Sequence, residues 1–434
     1  LNTDKDLHEY TLTAENALYS CSKESSGGSV ETTRGKISVR EVLEDLRGGM
    51  SDSDLMNKHA LSAGGLLSLY QKLMDAGLLT QQDLDQRTDI QVSTVDLADF
   101  PLETCILPLP ARCIWKFRSG GWIFSSPAVS DDAVFFGSWD GYVYCLDRST
   151  GRTNWRFGTG NVVRGSPVLM GENLYFGGWD SFMHALHTKT GEEKWRFKTK
   201  REIWCSAAVN ERSVYFSSTD GHIYAIEASN GRLKWKFKIG GAMFKWVESS
   251  PAVVGSTLYC GSHSGLFYAF EADTGRVLWK FEAGGPVNSS PMVLGNFIYF
   301  GCDDGNLYAL YNNDGSEKWR FAAGSPVYSK PGVHEGRIFA AGIDGVLHAV
   351  DLEQGKEVWR SDNSGQFLSA TAAADGVVFV GSTDQRLYAL SAAEGTELWH
   401  FETGGQIFSS PTYSGGEIYF GSNDGCLYAI RVIR

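Results

Sequence analysis

What this chain lacks narrows its chemistry before any motif is read. None of its 434 residues belongs to an apolar run approaching the roughly 18 that a membrane-spanning helix needs, so no such helix is expected. Positive charge is in deficit. Thirty-nine Lys and Arg against 51 Asp and Glu leave a formal net charge of -12, which disfavours broad binding to nucleic acid or anionic membranes. The eight cysteines (Cys21, Cys105, Cys113, Cys145, Cys205, Cys260, Cys302, Cys426) include no adjacent pair and no C-x-x-C metal spacing. Scattered structural thiols are the expectation, with a disulfide such as Cys105 to Cys113 as the alternative. There is no G-x-S-x-G elbow and no Walker loop. Histidines such as His184, His222, His263 and His348 follow no metal-ligand spacing. The chain opens at Leu1 without methionine or a signal-peptide pattern, as a processed or truncated start would.

What is present is a repeat. Tryptophan recurs at Trp115, Trp155, Trp195, Trp235, Trp279, Trp319, Trp359 and Trp399, at intervals of 40 residues with a single interval of 44 between Trp235 and Trp279. Each copy holds four short segments, here called a to d, of the types Ser-Ser-Pro-Ala-Val, Ile-Tyr-Phe-Gly, Leu-Tyr-Ala-Leu and Lys-Trp-Arg-Phe. A period near 40 with four strands marks a propeller blade, because one small sheet must stack on neighbours to bury its faces. Between b and c stands Asp-Gly, led by Asp140, Asp220, Asp304, Asp344 and Asp424 and suited to a tight hairpin; Asp180-Ser181, Ser264-Gly265 and Asp384-Gln385 are variants. The first tryptophan segment precedes the first strand a, and the chain stops after a strand c. The prediction is an all-β, eight-bladed propeller of four-stranded antiparallel blades, closed by an N-terminal d strand.

Four regions follow. Residues 1–35 are polar and read as a tail or extended segment. Residues 36–88 carry the capping-box patterns Ser38-x-x-Glu41, Ser51-x-x-Asp54 and Thr80-x-x-Asp83, and an apolar face at Leu66, Leu69, Tyr70 and Leu73, predicting a small helical, helix-turn-helix-like module. It offers little beyond Gln71 and Lys72 to phosphates, so a docking or spacer role outranks DNA binding. Residues 89–110, with Pro101, Pro108 and Pro110, read as a linker, and the propeller occupies residues 111–434.

The Trp-x-Phe and Gly-x-x-x-Trp pattern, as at Gly151 to Trp155 and Gly275 to Trp279, resembles the pyrroloquinoline-quinone (PQQ) repeat family over about three quarters of the chain. The resemblance implies the fold more than an activity. Quinoprotein alcohol dehydrogenases of that family add large insertions, a vicinal cysteine pair, a calcium site and a catalytic aspartate, whereas these blades are minimal and no cysteines adjoin. The regularity is similar to the non-catalytic branch that includes BamB-type propellers, which implies no cofactor and a periplasmic or surface location. The helical module and unpaired cysteines point instead to the cytoplasm. Similar repeats also close acyl-activating enzymes of the aminoadipate-semialdehyde dehydrogenase type.

The repeated tryptophans and turn aspartates read as structure, the first as fillers between blades and the second as turn formers. Function is sought where the copies differ. In a four-stranded antiparallel blade the d-to-a connections and b-to-c turns share a face, and on it blades 1 to 4 gather Trp122, Phe124, Trp139, Trp179, Trp204, Phe244 and Trp246 with Arg164. Aromatics with arginine are enriched at binding hot spots. No catalytic, cofactor-binding or metal residues are assigned. The expected function is a non-enzymatic scaffold for a protein or peptide, self-assembly included. The alternatives are a PQQ or other small-ligand-binding propeller using Trp204, Arg164 and Tyr328, the propeller region of an acyl-activating enzyme, and a regulator with a DNA-binding module.

Overall fold

The computed structural model describes residues 30–32, 35–37, 45, 46, 50, 54, 55, 58, 111–239, 249–362 and 365–432. The chain forms two compact units, Leu1–Ile106 and Leu107–Arg434. In the first, Val30–Thr32 and Gly35–Ile37 pair as an antiparallel hairpin that crosses the boundary placed at residue 35. Asp45, Leu46, Asp54, Leu55 and Lys58 are helical, and Lys58 Nζ lies 2.7 Å from Asp45 Oδ1. The apolar face at Leu66 to Leu73 and the linker 89–110 lie outside the described residues.

The second unit contains eight four-stranded antiparallel sheets. Blade 1 is typical: strand a is Ala128–Val129, b Ala133–Gly137, c Tyr142–Asp147 and d Thr153–Gly158, hydrogen-bonded in that order. Blades 2 to 7 repeat the order, and blade 8 takes its d strand from the propeller's other end. There Ala111–Arg118 pairs with Cys426–Val432, with Trp115 opposite Ala429, and closes the ring as predicted. Closure leaves no sheet edge between the first and last blades.

Burial follows each strand's place in the stack. Strand c is covered on both faces by neighbouring blades, so its four central residues are buried, as in Tyr142–Asp147 and Asn306–Tyr311, and its sequence is nearly continuous in apolar residues. Strand d lies at the outside and alternates, turning Trp155 and Phe157 inward and Arg156 outward. A bulge recurs between c and d, and it sets each tryptophan opposite a small residue, as in Ala309 opposite Trp319 and Cys145 opposite Trp155. The small partner leaves room for the indole.

The tryptophan joins one blade to the next. Trp279 Nε1 donates to the carbonyl of Asn312 at 3.1 Å, and Trp115, Trp155, Trp195, Trp235, Trp319 and Trp359 do the same to the c-to-d turn of the following blade at 2.8 to 3.2 Å. Each indole also lies flat against that turn's glycine. A Cβ on Gly315 would meet Trp279 Cε3 at 2.4 Å, and Gly315 has φ +74. Two independent constraints therefore require glycine there. Trp399 has no such glycine, because the c and d strands of blade 8 come from opposite ends of the propeller and no turn joins them.

Strands a form the inner wall, each touching the strand a of a neighbouring blade. Before them runs a ring of serines. The N–H groups of Ser410, Ser126, Ser166, Ser206 and Ser250 donate in turn to the hydroxyls of Ser126, Ser166, Ser206, Ser250 and Ser290 at 2.8 to 3.2 Å. Ala370 N donates likewise to Ser410 Oγ at 2.9 Å. The ring is interrupted where Lys330 and Ala370 replace serine.

The turn aspartates do the local work expected of them. Asp304 Oδ1 accepts the N–H of Asn306 at 2.9 Å, Oδ2 accepts the N–H of Gly284 at 3.1 Å and the Tyr308 hydroxyl, and Gly305 takes φ +83. The variant turns place Ser181 and Gln385 at positive φ, 69° and 76°. Asp424 is bonded by Tyr428, Cys426 N and Gly404 N. Desolvation opposes its charge, but these donors outweigh it and hold the carboxyl below the ordinary aspartate range. A depressed carboxyl contributes stability that is complete above its unfolded value and lost as pH falls through the folded one.

Two stability measurements follow from this. Gly315→Ala and Gly336→Ala share φ +74, but nothing lies within 4 Å of the second position. Chemical denaturation should show Gly315→Ala costing about 2 kcal/mol more than Gly336→Ala, the difference being the collision with Trp279. Tyr428→Phe should lower stability by about 1 kcal/mol at neutral pH, and its gap from wild type should narrow as pH falls below the ordinary aspartate range. Thermal melts across pH read that gap.

Candidate interaction face

One backbone hydrogen bond, repeated around the ring, brings the variable positions together. The residue before each b-to-c turn donates its N–H to a carbonyl in the connection entering the same blade: Trp139 to Trp122 at 2.9 Å, Trp179 to Val162 at 2.9 Å, Asp303 to Pro286 at 2.9 Å, and Asn423 to Gln406 at 2.9 Å. Turns and d-to-a connections thus lie on one face. Within each connection, alternate residues face different ways. Ile123 and Val163 are fully buried, Val163 against Gly137, while Phe124 and Arg164 are half-buried at the mouth of the lumen.

Six of the eight sequence-derived residues meet there. Phe124 stacks on Trp139 with ring centroids 4.9 Å apart, Trp139 contacts Trp179 at 5.5 Å, and Trp179 stacks on Trp204 at 5.8 Å. Trp122 packs against Trp139 at 5.0 Å and remains 49% exposed. The Arg164 guanidinium lies 5.0 Å over the Trp204 ring, a cation–π contact. Phe244 and Trp246 lie outside the described residues.

The row has one member that sequence reasoning left out. Phe408 stacks on Phe124 with centroids 4.8 Å apart and planes 18° apart. It occupies the same repeat position as Phe124, and ring closure makes blade 8 the neighbour of blade 1. The repeat offset was the available signal. The result is a continuous aromatic row over blades 8, 1, 2 and 3. Within it the indole N–H groups of Trp139 and Trp179 are buried without an acceptor, a condition that costs about 1–3 kcal/mol for a donor withdrawn from water. Across the mouth the chemistry changes: His263 Nδ1 lies 3.2 Å from Asn288 Oδ1, and Asn288 Nδ2 donates to Asp303 Oδ2 at 3.0 Å.

Other candidates have local partners. On strand d of blade 2, Glu193–Lys198, Lys194 bonds Asn173, and Arg196 and Lys198 lie over Phe182. Lys234 bonds Asp273 and Ser213. His184 is clasped by Asp180 at 2.8 Å and Glu193 at 2.7 Å. Among the described residues no group of three or more His, Cys, Asp or Glu is placed to hold a metal ion. The six described cysteines are free thiols, Cys113 exposed and the rest buried. No helix among the described residues is long and apolar enough to cross a membrane.

Known proteins agree with this architecture. The PQQ-repeat family model described as outer membrane protein assembly factor BamB matches residues 82–245, 219–330 and 303–433. No curated protein matches the sequence. Among solved structures, BamB from Moraxella catarrhalis superposes with a TM-score of 0.65 at 16% identity, covering 74% of this chain and 100% of that one. The computationally designed Ika8 protein gives 0.64 at 16% identity over 73% of this chain and 98% of its own. Quinohemoprotein alcohol dehydrogenase from Comamonas testosteroni gives 0.61 at 17% identity over 74% and 76%. At these identities the likeness is one of fold.

Coupling along the aromatic row is measurable. A double-mutant cycle of Phe124→Ala and Trp139→Ala should return an interaction of about 1 kcal/mol in unfolding free energy. A value near zero would show that the stacked rings are adjacent without mutual support.

Proposed function

This chain belongs to the PQQ-repeat family of BamB-type propellers, and from that membership we propose that it is a non-enzymatic scaffold that binds a protein or peptide through the aromatic half of its mouth. The observation that carries the reading is the continuous row from Phe408 to Trp204, with Trp122 exposed at its edge and Arg164 at its end. Large apolar rings beside a guanidinium combine burial energy with a polar anchor, the composition that dominates interface energetics. The uniform blades supply a rigid frame, so such a surface is largely formed before its partner arrives.

A small-molecule reading has one observation in its favour: the buried N–H groups of Trp139 and Trp179 also suit an acceptor on a planar ligand. Titration with PQQ, followed by absorbance, separates the two readings.

A photoreactive residue at position 122 should cross-link a partner in the native setting. One at position 294, where Leu294 is exposed at the a-to-b hairpin on the opposite face, should not. Replacing both Trp139 and Trp179 with alanine should reduce the adduct at 122 by about tenfold or more while cooperative melting persists. Equal adducts at 122 and 294, or an undiminished adduct in the double variant, would sink the proposal.

A further inference from the structure

The serine ring below the aromatic mouth is interrupted at two adjacent blades, by Lys330 and Ala370, and only the first brings a charge. Ser126, Ser166, Ser206, Ser250, Ser290 and Ser410 occupy equivalent positions, and each hydroxyl oxygen accepts a backbone N–H from the neighbouring blade. Acceptance uses an oxygen lone pair and leaves the hydroxyl proton to be donated. Where blade 6 reaches this level the residue is Lys330.

That substitution breaks the ring and introduces a cation. Lys330 is exposed, yet at its position in the ring the surrounding blades displace part of its water. Desolvation accordingly holds its ammonium below the ordinary lysine range. Among the described residues Lys330 forms no hydrogen bond or ion pair. Its ring neighbours are Ser290, a donor, and Ala370, which has no polar side-chain atom. On the mouth above, the Asp303 carboxylate accepts from Asn288, and Arg164 is stacked on Trp204. A partly desolvated cation beside a ring of hydroxyl donors is complementary to an anion.

The layers also match an extended chain. Tyr328 and Lys330, like Phe124 and Ser126, are two residues apart, roughly 7 Å when extended. Successive same-side residues of an extended peptide have that separation. A segment entering the mouth can therefore place one side chain among the rings and the next at the level of the serines.

We propose that the lumen below the aromatic mouth is a carboxylate site, in which an acidic side chain of the bound peptide lies against the Lys330 ammonium and accepts hydrogen bonds from the ring serines. The site rests on the scaffold reading above and narrows its partner to a segment that combines apolar with acidic residues. The net charge of -12 makes an isolated cationic lumen selective, because acidic partners are repelled elsewhere on the surface.

Calorimetric titration of the full chain with short synthetic peptides alternating Phe and Glu, or Phe and Gln, tests the site. The Glu peptide should bind wild type about tenfold or more tightly than the Gln peptide. Lys330→Arg should keep that advantage, and Lys330→Ser, which restores the residue of the other blades, should abolish it. Equal affinities for wild type, an advantage undiminished in Lys330→Ser, or no binding of either peptide to wild type would each overturn the site. Free glutamate binding as tightly as the Glu peptide would overturn the peptide assignment in favour of a small carboxylate. If the two peptides bind equally but both weaken when Trp139 and Trp179 become alanine, the site fails and the scaffold reading stands.

Discussion

The contact on which the propeller depends is that of an indole laid against a glycine of the next blade. Its hydrogen bond runs from Trp Nε1 to a turn carbonyl, and its packing requires a turn without a Cβ. Each half fixes the other. The positive φ of Gly315 carries the turn around the ring of Trp279, and the indole fills the space that the missing side chain leaves. Repetition makes the contact a geometric rule, because every blade meets its predecessor at the same place. The one tryptophan without a glycine, Trp399, faces the blade closed by strand pairing, so covalent continuity is replaced there by the pairing of Ala111–Arg118 with Cys426–Val432.

Uniformity at the seams frees other positions. The residue before each b-to-c turn and the third residue before each strand a proline lie outside the indole–glycine contact, and the bond that joins turn to connection is made by backbone atoms alone. Two kinds of surface result from one frame. Blades 8 to 3 carry stacked rings, whereas blades 4 and 5 carry the His263, Asn288 and Asp303 hydrogen-bond chain. The buried, unpartnered indole donors belong to the first surface alone among the two.

Most of the architecture was legible because the repeat is short and its punctuation physical. The spacing from Trp115 to Trp399, the Asp-Gly turns and the mismatch between the first and last fragments together required a closed ring with a shared blade. The adjacency of six candidate residues was also legible, since repeat offsets place Trp139 and Trp179 on the same rim as Phe124 and Trp204. Phe408 was missed because adjacency along the chain was counted in place of adjacency around the ring. Lys330 was missed because a single basic residue in a Ser-Ser-Pro series has no signal until its neighbours are known to encircle a lumen.

The amino-acid order alone determined the blade, the number of blades and the face on which the copies diverge, since each follows from local periodicity and turn chemistry. Only the folded ring decided which divergent residues touch, which indole donors lose their acceptors and where a lysine takes a serine's place in a closed circle of hydroxyls. Those outcomes depend on residues hundreds of positions apart meeting across the closure, as Ser410 meets Ser126. Proximity of that kind is a property of the closed circle, and no window of sequence contains it.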